Sequence, residues 1–267
     1  MKNNHVRGRC ASLRARTNRS RSAPVDWNVE SVVAELKKLS SKRVRDGMAR
    51  YGLPSEKALG VAVGDIRDLG KRIGHDHALA LGIWKTDIYE ARMLAAFIGD
   101  PERITPAQMD RWCRDFDNWG ICDTLCFHLF DKTSHAWAKV EQWSDNKREF
   151  VKRAAFALLA SLAGHDKSAA DEQFLRTFSL IERAATDERN FVKKGVSWAL
   201  RGIGHRNREL NAAARELASS LSKSENATAR WIGKDTLRDI TRPAMLKRLD
   251  ARAGRTTRSR ASELRGV

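Results

Sequence analysis

The sequence is poor in residues that break or bend a chain, and it has no long apolar run. Five prolines in 267 residues leave long stretches open to helix. No segment approaches the roughly 18 consecutive apolar residues that a membrane-spanning helix needs, which excludes an integral helical membrane protein. The four cysteines, Cys10, Cys113, Cys122 and Cys126, form no C-x-x-C pair, and no histidines stand at zinc-finger spacing from Cys122 and Cys126. Neither a structural metal nor a disulfide framework is expected, and reduced thiols fit a cytoplasmic setting. His75-x-His77 is too short a cluster for a metal site and reads as surface. Acids are the scarcest of the charged residues: 33 Asp and Glu face 50 Lys and Arg, for a net charge of +17. That excess points to an anionic partner, with nucleic acid as the default. With 42% hydrophobic and 31% charged residues, the chain can bury a full core and is neither collagen-like nor wholly disordered.

The charge is uneven. Residues 1–23 carry +7 without one acidic side chain, residues 242–267 carry +6, and residues 24–241 carry only +4. Both ends lack apolar periodicity and read as disordered arms. The first has no apolar segment of secretory type. Its Arg- and Ser-bearing composition superficially resembles an organelle transit peptide, but a solvated tail that clings to phosphate requires less. The chain thus divides into a basic arm (1–25), a helical domain (26–245) and a basic tail (246–267).

Within the body, apolar residues recur at three- and four-residue steps, with no sustained alternation of strand type. Thr105-Pro106-x-Gln108 joins an N-cap, a proline at the first helical position and a capping-box partner. Ser144 and Thr186 stand ahead of further apolar runs. Breaks fall at Gly52-Leu-Pro54, Gly99-Asp-Pro101 and Gly164-His-Asp166. The segment Phe150-Val-Lys-Arg-Ala-Ala-Phe-Ala-Leu-Leu159 is echoed by Phe191-Val-Lys-Lys-Gly-Val-Ser-Trp-Ala-Leu200 at an offset of 41, and Ala199–Ile203 by Thr236–Ile240 at 37. Periods near 40 made of helices indicate an α-solenoid of HEAT or armadillo type, whose concave face is an extended binding surface.

Three helix faces stand out. On the helix near 191–203, Val192, Val196, Ala199 and Ile203 form a core stripe. Phe191, Gly195, Trp198 and Gly202 form the stripe beside it, in which the glycines either open a flat surface around Trp198 or allow tight helix packing; the pattern alone favours packing. Near 119–131, Trp119, Asp123, Phe127 and Phe130 share a face, with Ile121, Cys122, Leu125, Cys126 and Leu129 as core. A carboxylate among aromatics is costly to bury and is found mainly at functional sites; a structural ion pair is the alternative, and the default where an Arg or Lys lies near. The third face is basic. Lys152 and Arg153 occupy the repeat positions of Lys193 and Lys194, and Arg201, Arg206, Arg208, Lys234 and Arg238 extend the stripe toward a nucleic-acid surface.

Taken together, Trp119-Gly-Ile-Cys-Asp123, Phe150-Val-Lys-Arg153-Ala and Phe191-Val-Lys-Lys-Gly-Val-Ser-Trp198-Ala-Leu-Arg201 resemble the AlkD-type DNA alkylation repair proteins. Leu59-Gly-Val61, Asp65-Ile-Arg67-Asp-Leu, Trp84 and Glu90-Ala-Arg92 fit the same pattern, so the resemblance spans about residues 27–245 and covers neither arm. It implies a superhelix of HEAT-like repeats that excises cationic N3- and N7-alkylpurines from double-stranded DNA in base excision repair. It further implies a lesion captured through its backbone rather than flipped into an enclosing pocket. The resemblance places the active-site aspartate at Asp123, two backbone-contacting indoles at Trp119 and Trp198, and an active-site arginine at Arg153, there to bind an adjacent phosphate. It implies no metal and no small-molecule cofactor, and a monomer that acts on DNA without a membrane. Gly120 departs from the acidic residue expected after the tryptophan in many relatives. Two other readings stand beside it: a non-catalytic HEAT-repeat DNA-binding protein of the same fold, and a HEAT scaffold for a protein partner. The scaffold reading predicts an apolar concave face without a Trp–Asp pair, which this sequence contradicts.

Overall fold

The computed structural model describes residues 26–53 and 56–251; the arm of residues 1–25 and the final residues 252–267, where disorder is expected, lie outside the described residues. Among the described residues, fourteen α-helices and three short 3₁₀ turns run from Val29 to Ile240, with no strand. None of these helices is long and apolar enough to cross a membrane.

Six helices stack in one row, each packed on the next: Val63–Ile73, Tyr89–Ile98, Trp119–His128, Glu149–His165, Asn190–Gly204 and Ala227–Ile240. The last three begin 41 and 37 residues apart, matching the offsets of the sequence echoes. A second helix backs most members of the row. His77–Trp84 lies against Tyr89–Ile98, Ala136–Ser144 against Glu149–His165, and Arg208–Ser222 against Ala227–Ile240. The result is the expected all-α repeat stack of HEAT and armadillo type.

The Glu149–His165 helix is the centre of the stack. Every residue from Ala154 to Ala163 is buried. The segment is apolar all round its circumference, so it needs cover on every side. Neighbouring helices of the row flank it, and Ala136–Ser144 backs it. Its one polar interior residue, Ser161, donates to the buried Asp131 carboxylate at 2.7 Å. Phe156 is fully buried, a burial worth about 1.5–3 kcal/mol.

Local signals were realised unevenly. Thr105 caps the Pro106–Arg114 helix by accepting from the Gln108 backbone N–H, but the Gln108 side chain makes no reciprocal bond to the cap. Ser144 is not a cap: it ends the Ala136–Ser144 helix and donates back to the Glu141 carbonyl. Thr186 lies in a turn, and the following helix starts only at Asn190. The face at 119–131 is shorter than expected. The helix ends at His128, and Phe130 sits in a 3₁₀ turn, fully buried against Phe116 and Trp143. His77 is buried rather than on the surface, and burial lowers its imidazole pKa. The boundary expected at 245 also moves: residues 243–251 are helical, with Met245 and Leu249, one turn apart, both buried.

Candidate nucleic-acid interface

An open cleft of about 650 Å³ forms where the last four helices of the row meet the Ala49–Tyr51 turn. Trp119 and Asp123 come from one helix, Arg153 from the next, and Phe191, Lys194, Trp198 and Arg201 from the third. Trp231 and Asp235 come from the fourth, and Arg50, Tyr51 and Gly52 close the rim. Four cations face two carboxylates here, so the cleft favours an anionic ligand.

Asp123 and Arg153 are joined through both ends of the carboxylate. Arg153 Nε donates to Oδ1 at 2.9 Å and Nη2 to Oδ2 at 2.7 Å, while Nη1 donates to the Phe191 carbonyl at 2.8 Å. Arg153 is 6% exposed. Three of its five N–H donors are thus engaged within the protein, two of them orienting Asp123, where the resemblance implied a contact with an adjacent DNA phosphate. Burial pushes the Asp123 carboxyl above its ordinary pKa, and the Arg153 charge opposes that shift. Arg153 takes two of a carboxylate's roughly four lone-pair sites and the Cys122 thiol also hydrogen-bonds the carboxyl, which leaves the remainder for a ligand or water.

The aromatic residues are fixed from behind. Trp119 Nε1 donates to the Tyr51 carbonyl at 2.8 Å, tying the rim turn to the helix. Gly52 ends that turn at φ +66°, a left-handed conformation suited to glycine. Trp198 stacks on Phe127 with ring centroids 4.8 Å apart and planes 6° from parallel. Gly195 and Gly202 do not open the surface around Trp198. A Cβ at either would stand 3.4–3.6 Å from atoms of Phe156, Arg153, Ala160 or Ala163, so both face the Glu149–His165 helix and serve packing.

The basic stripe separates into residues at the cleft and residues held elsewhere. Lys194 and Arg201 line the cleft, and Lys193 lies beside it over the Trp231 ring. Lys152 does not join them. Its ammonium pairs with Asp187 at 3.1 Å, where Arg189 and then Lys152 pull the carboxyl down to about 2. Arg206 is internal: it donates to the carbonyls of Ala163, Asp166 and Ala169, near the end of the Glu149–His165 helix, and stacks over Phe174. It caps a helix terminus instead of facing DNA. Arg208 pairs with Asp250 of the C-terminal helical segment. Lys234 is exposed but off the cleft, and Arg238 is 79% exposed at its side chain and paired with Asp235.

Five cleft residues escaped sequence reasoning: Arg50, Tyr51, Asn190, Trp231 and Asp235. For two of them a signal existed. Extending the repeat register by 37 takes Lys194 to Trp231 and Trp198 to Asp235. Arg50 and Tyr51 belong to a non-repetitive turn and left no such trace.

Gly120 also has a structural reason. A Cβ there would collide with the Tyr89 hydroxyl and stand 3.0 Å from Leu53 Cδ2. The phenol of Tyr89 fills the space beside Trp119 that an acidic side chain would need.

A solved structure of a protein from a family related to the HEAT-like repeat DNA glycosylases, with affinity for branched DNA structures, superposes with a TM-score of 0.68. It is 20% identical, and the match covers 79% of this chain and 95% of that one. A designed armadillo repeat protein in complex with a peptide aligns at a TM-score of 0.41 and 14% identity, over 79% of this chain and 94% of that one. No curated protein matches the sequence. The profile described as DNA alkylation repair enzyme matches residues 32–240, most of the helical body, and the chain belongs to that family.

Proposed function

We propose that this protein is a DNA glycosylase that removes cationic N3- and N7-alkylated purines, such as 3-methyladenine and 7-methylguanine, from duplex DNA. The observation that carries this reading is the Asp123 carboxylate, held by Arg153 in the same open cleft as Trp119 and Trp198. Alkylation leaves such a purine positively charged and its glycosidic bond already weakened. What remains is to stabilise the electron-poor sugar as the base departs and to supply water. Asp123 provides negative charge at that point, and its free lone pairs orient the water. The indole faces of Trp119 and Trp198 attract the cationic sugar. Lys194 and Arg201 take the flanking phosphates in place of Arg153. The cleft is an open groove, which supports capture of the lesion through its backbone.

A second reading rests on the same pair. A bidentate arginine neutralises Asp123, as in a structural ion pair, and the protein would then bind DNA without cutting the glycosidic bond. One assay separates the two. The glycosylase reading expects purified protein to release 3-methyladenine or 7-methylguanine from methylated duplex DNA, and Asp123→Asn to lower that release by about a hundredfold or more. Absence of any release by the wild-type protein leaves the non-catalytic reading standing.

A further inference from the structure

Trp231 is a large apolar side chain left 39% exposed, and it stands in the cleft. Few residues of its kind are exposed among the described residues, and Tyr51, another, lies on the same rim. The Lys193 ammonium sits over one side of the ring, 5.3 Å from its centroid. Around it stand Lys194 and Arg201. Arg201 Nε stands 3.7 Å from the carboxylate of Asp235, one turn beyond Trp231, which accepts from Ser197 Oγ at 2.7 Å.

We propose that Trp231 forms a binding site for a single unpaired deoxynucleotide, with the base stacked against the indole and its phosphate held by Lys194 and Arg201. This rests on the reading of the cleft as a DNA interface, and it extends that reading to a second class of DNA structure. In a duplex, neighbouring pairs cover both faces of every base. An exposed indole therefore gains stacking only from a base outside the stack. The cations identify the occupant further. They favour an anionic phosphate with a neutral base and disfavour a cationic alkylpurine. A charged lesion belongs beside Asp123, and the neutral unpaired nucleotide belongs beside Trp231.

The test compares the full-length protein on a fully paired duplex and on the same duplex carrying one unpaired 2-aminopurine. The wild-type protein is expected to bind the second about tenfold more tightly, the scale of one base–aromatic stack, and to quench the 2-aminopurine fluorescence. Trp231→Leu is expected to bring that affinity ratio close to one and to remove the quench. Trp231→Phe, which keeps an aromatic face, is expected to retain most of both. Matched thermal melts of the variants establish that each is folded. A ratio unchanged in Trp231→Leu, or a wild-type protein that binds both duplexes equally, overturns the proposal and leaves the DNA reading intact. A wild-type protein that binds neither duplex overturns the DNA reading as well.

Discussion

Arg153 grips Asp123 with two of its nitrogens and the backbone carbonyl of Phe191 with the third, so one buried guanidinium ties three successive helices of the row together at the floor of the cleft. The arginine orients the carboxylate and opposes the effect of burial on its pKa. Removing either partner leaves the other charge buried alone, a loss of about 3–5 kcal/mol in such pairs.

Arg153→Lys keeps a cation but cannot form the bidentate pair. In the glycosylase reading Asp123 acts in its ionised form, so excision is expected to fail as pH falls through its pKa, which burial already raises. With the arginine's opposing pull weakened, the acid limb of the pH–rate profile is expected to move to higher pH in the variant, with lower excision at its plateau. Single-turnover rates across pH check this. An unmoved acid limb would show that Asp123 does not titrate in the reaction.

Gly120→Ala forces a methyl group onto the Tyr89 hydroxyl. The expected cost is about 1–3 kcal/mol, read as a lower thermal midpoint. Combining it with Tyr89→Phe removes the obstructing oxygen and should restore part of the loss. Equal destabilisation of the single and double variants would rule out this clash.

Arg206→Ala and Lys194→Ala should fail in opposite ways. Arg206 satisfies three backbone carbonyls inside the protein, so its loss should cost about 2–4 kcal/mol of stability and leave the salt dependence of DNA binding unchanged. Lys194 is exposed in the cleft, so its loss should leave the melt unchanged and reduce the slope of log affinity against log salt by about one. Thermal melts and a salt titration of duplex binding distinguish the two.

Deleting residues 1–23 removes seven positive charges. Duplex affinity should fall and its salt dependence should flatten, while single-turnover excision at saturating protein is unchanged. Excision lost at saturation would mean that the arm belongs to the reaction site.

The sequence by itself determined what depends on short range or on repetition. The three- and four-residue apolar period gives helices, and the echoes at 41 and 37 give the stacking row, because a repeated pattern buries its face only against its neighbour. The four-residue step from Trp119 to Asp123 places both on one side of a helix, which made the central pair legible. Tertiary structure alone decided which charges are free. Lys152 and Lys194 look alike as basic residues in repeat register. One is neutralised by Asp187, some thirty-five positions on, and the other faces open solvent. Arg153 and Arg206 likewise find their carboxylate and carbonyl partners thirty to forty-three residues away. A charge in a single helix carries no record of what the next helix or turn brings against it. That encounter separates the residues that hold the cleft together from those left facing solvent.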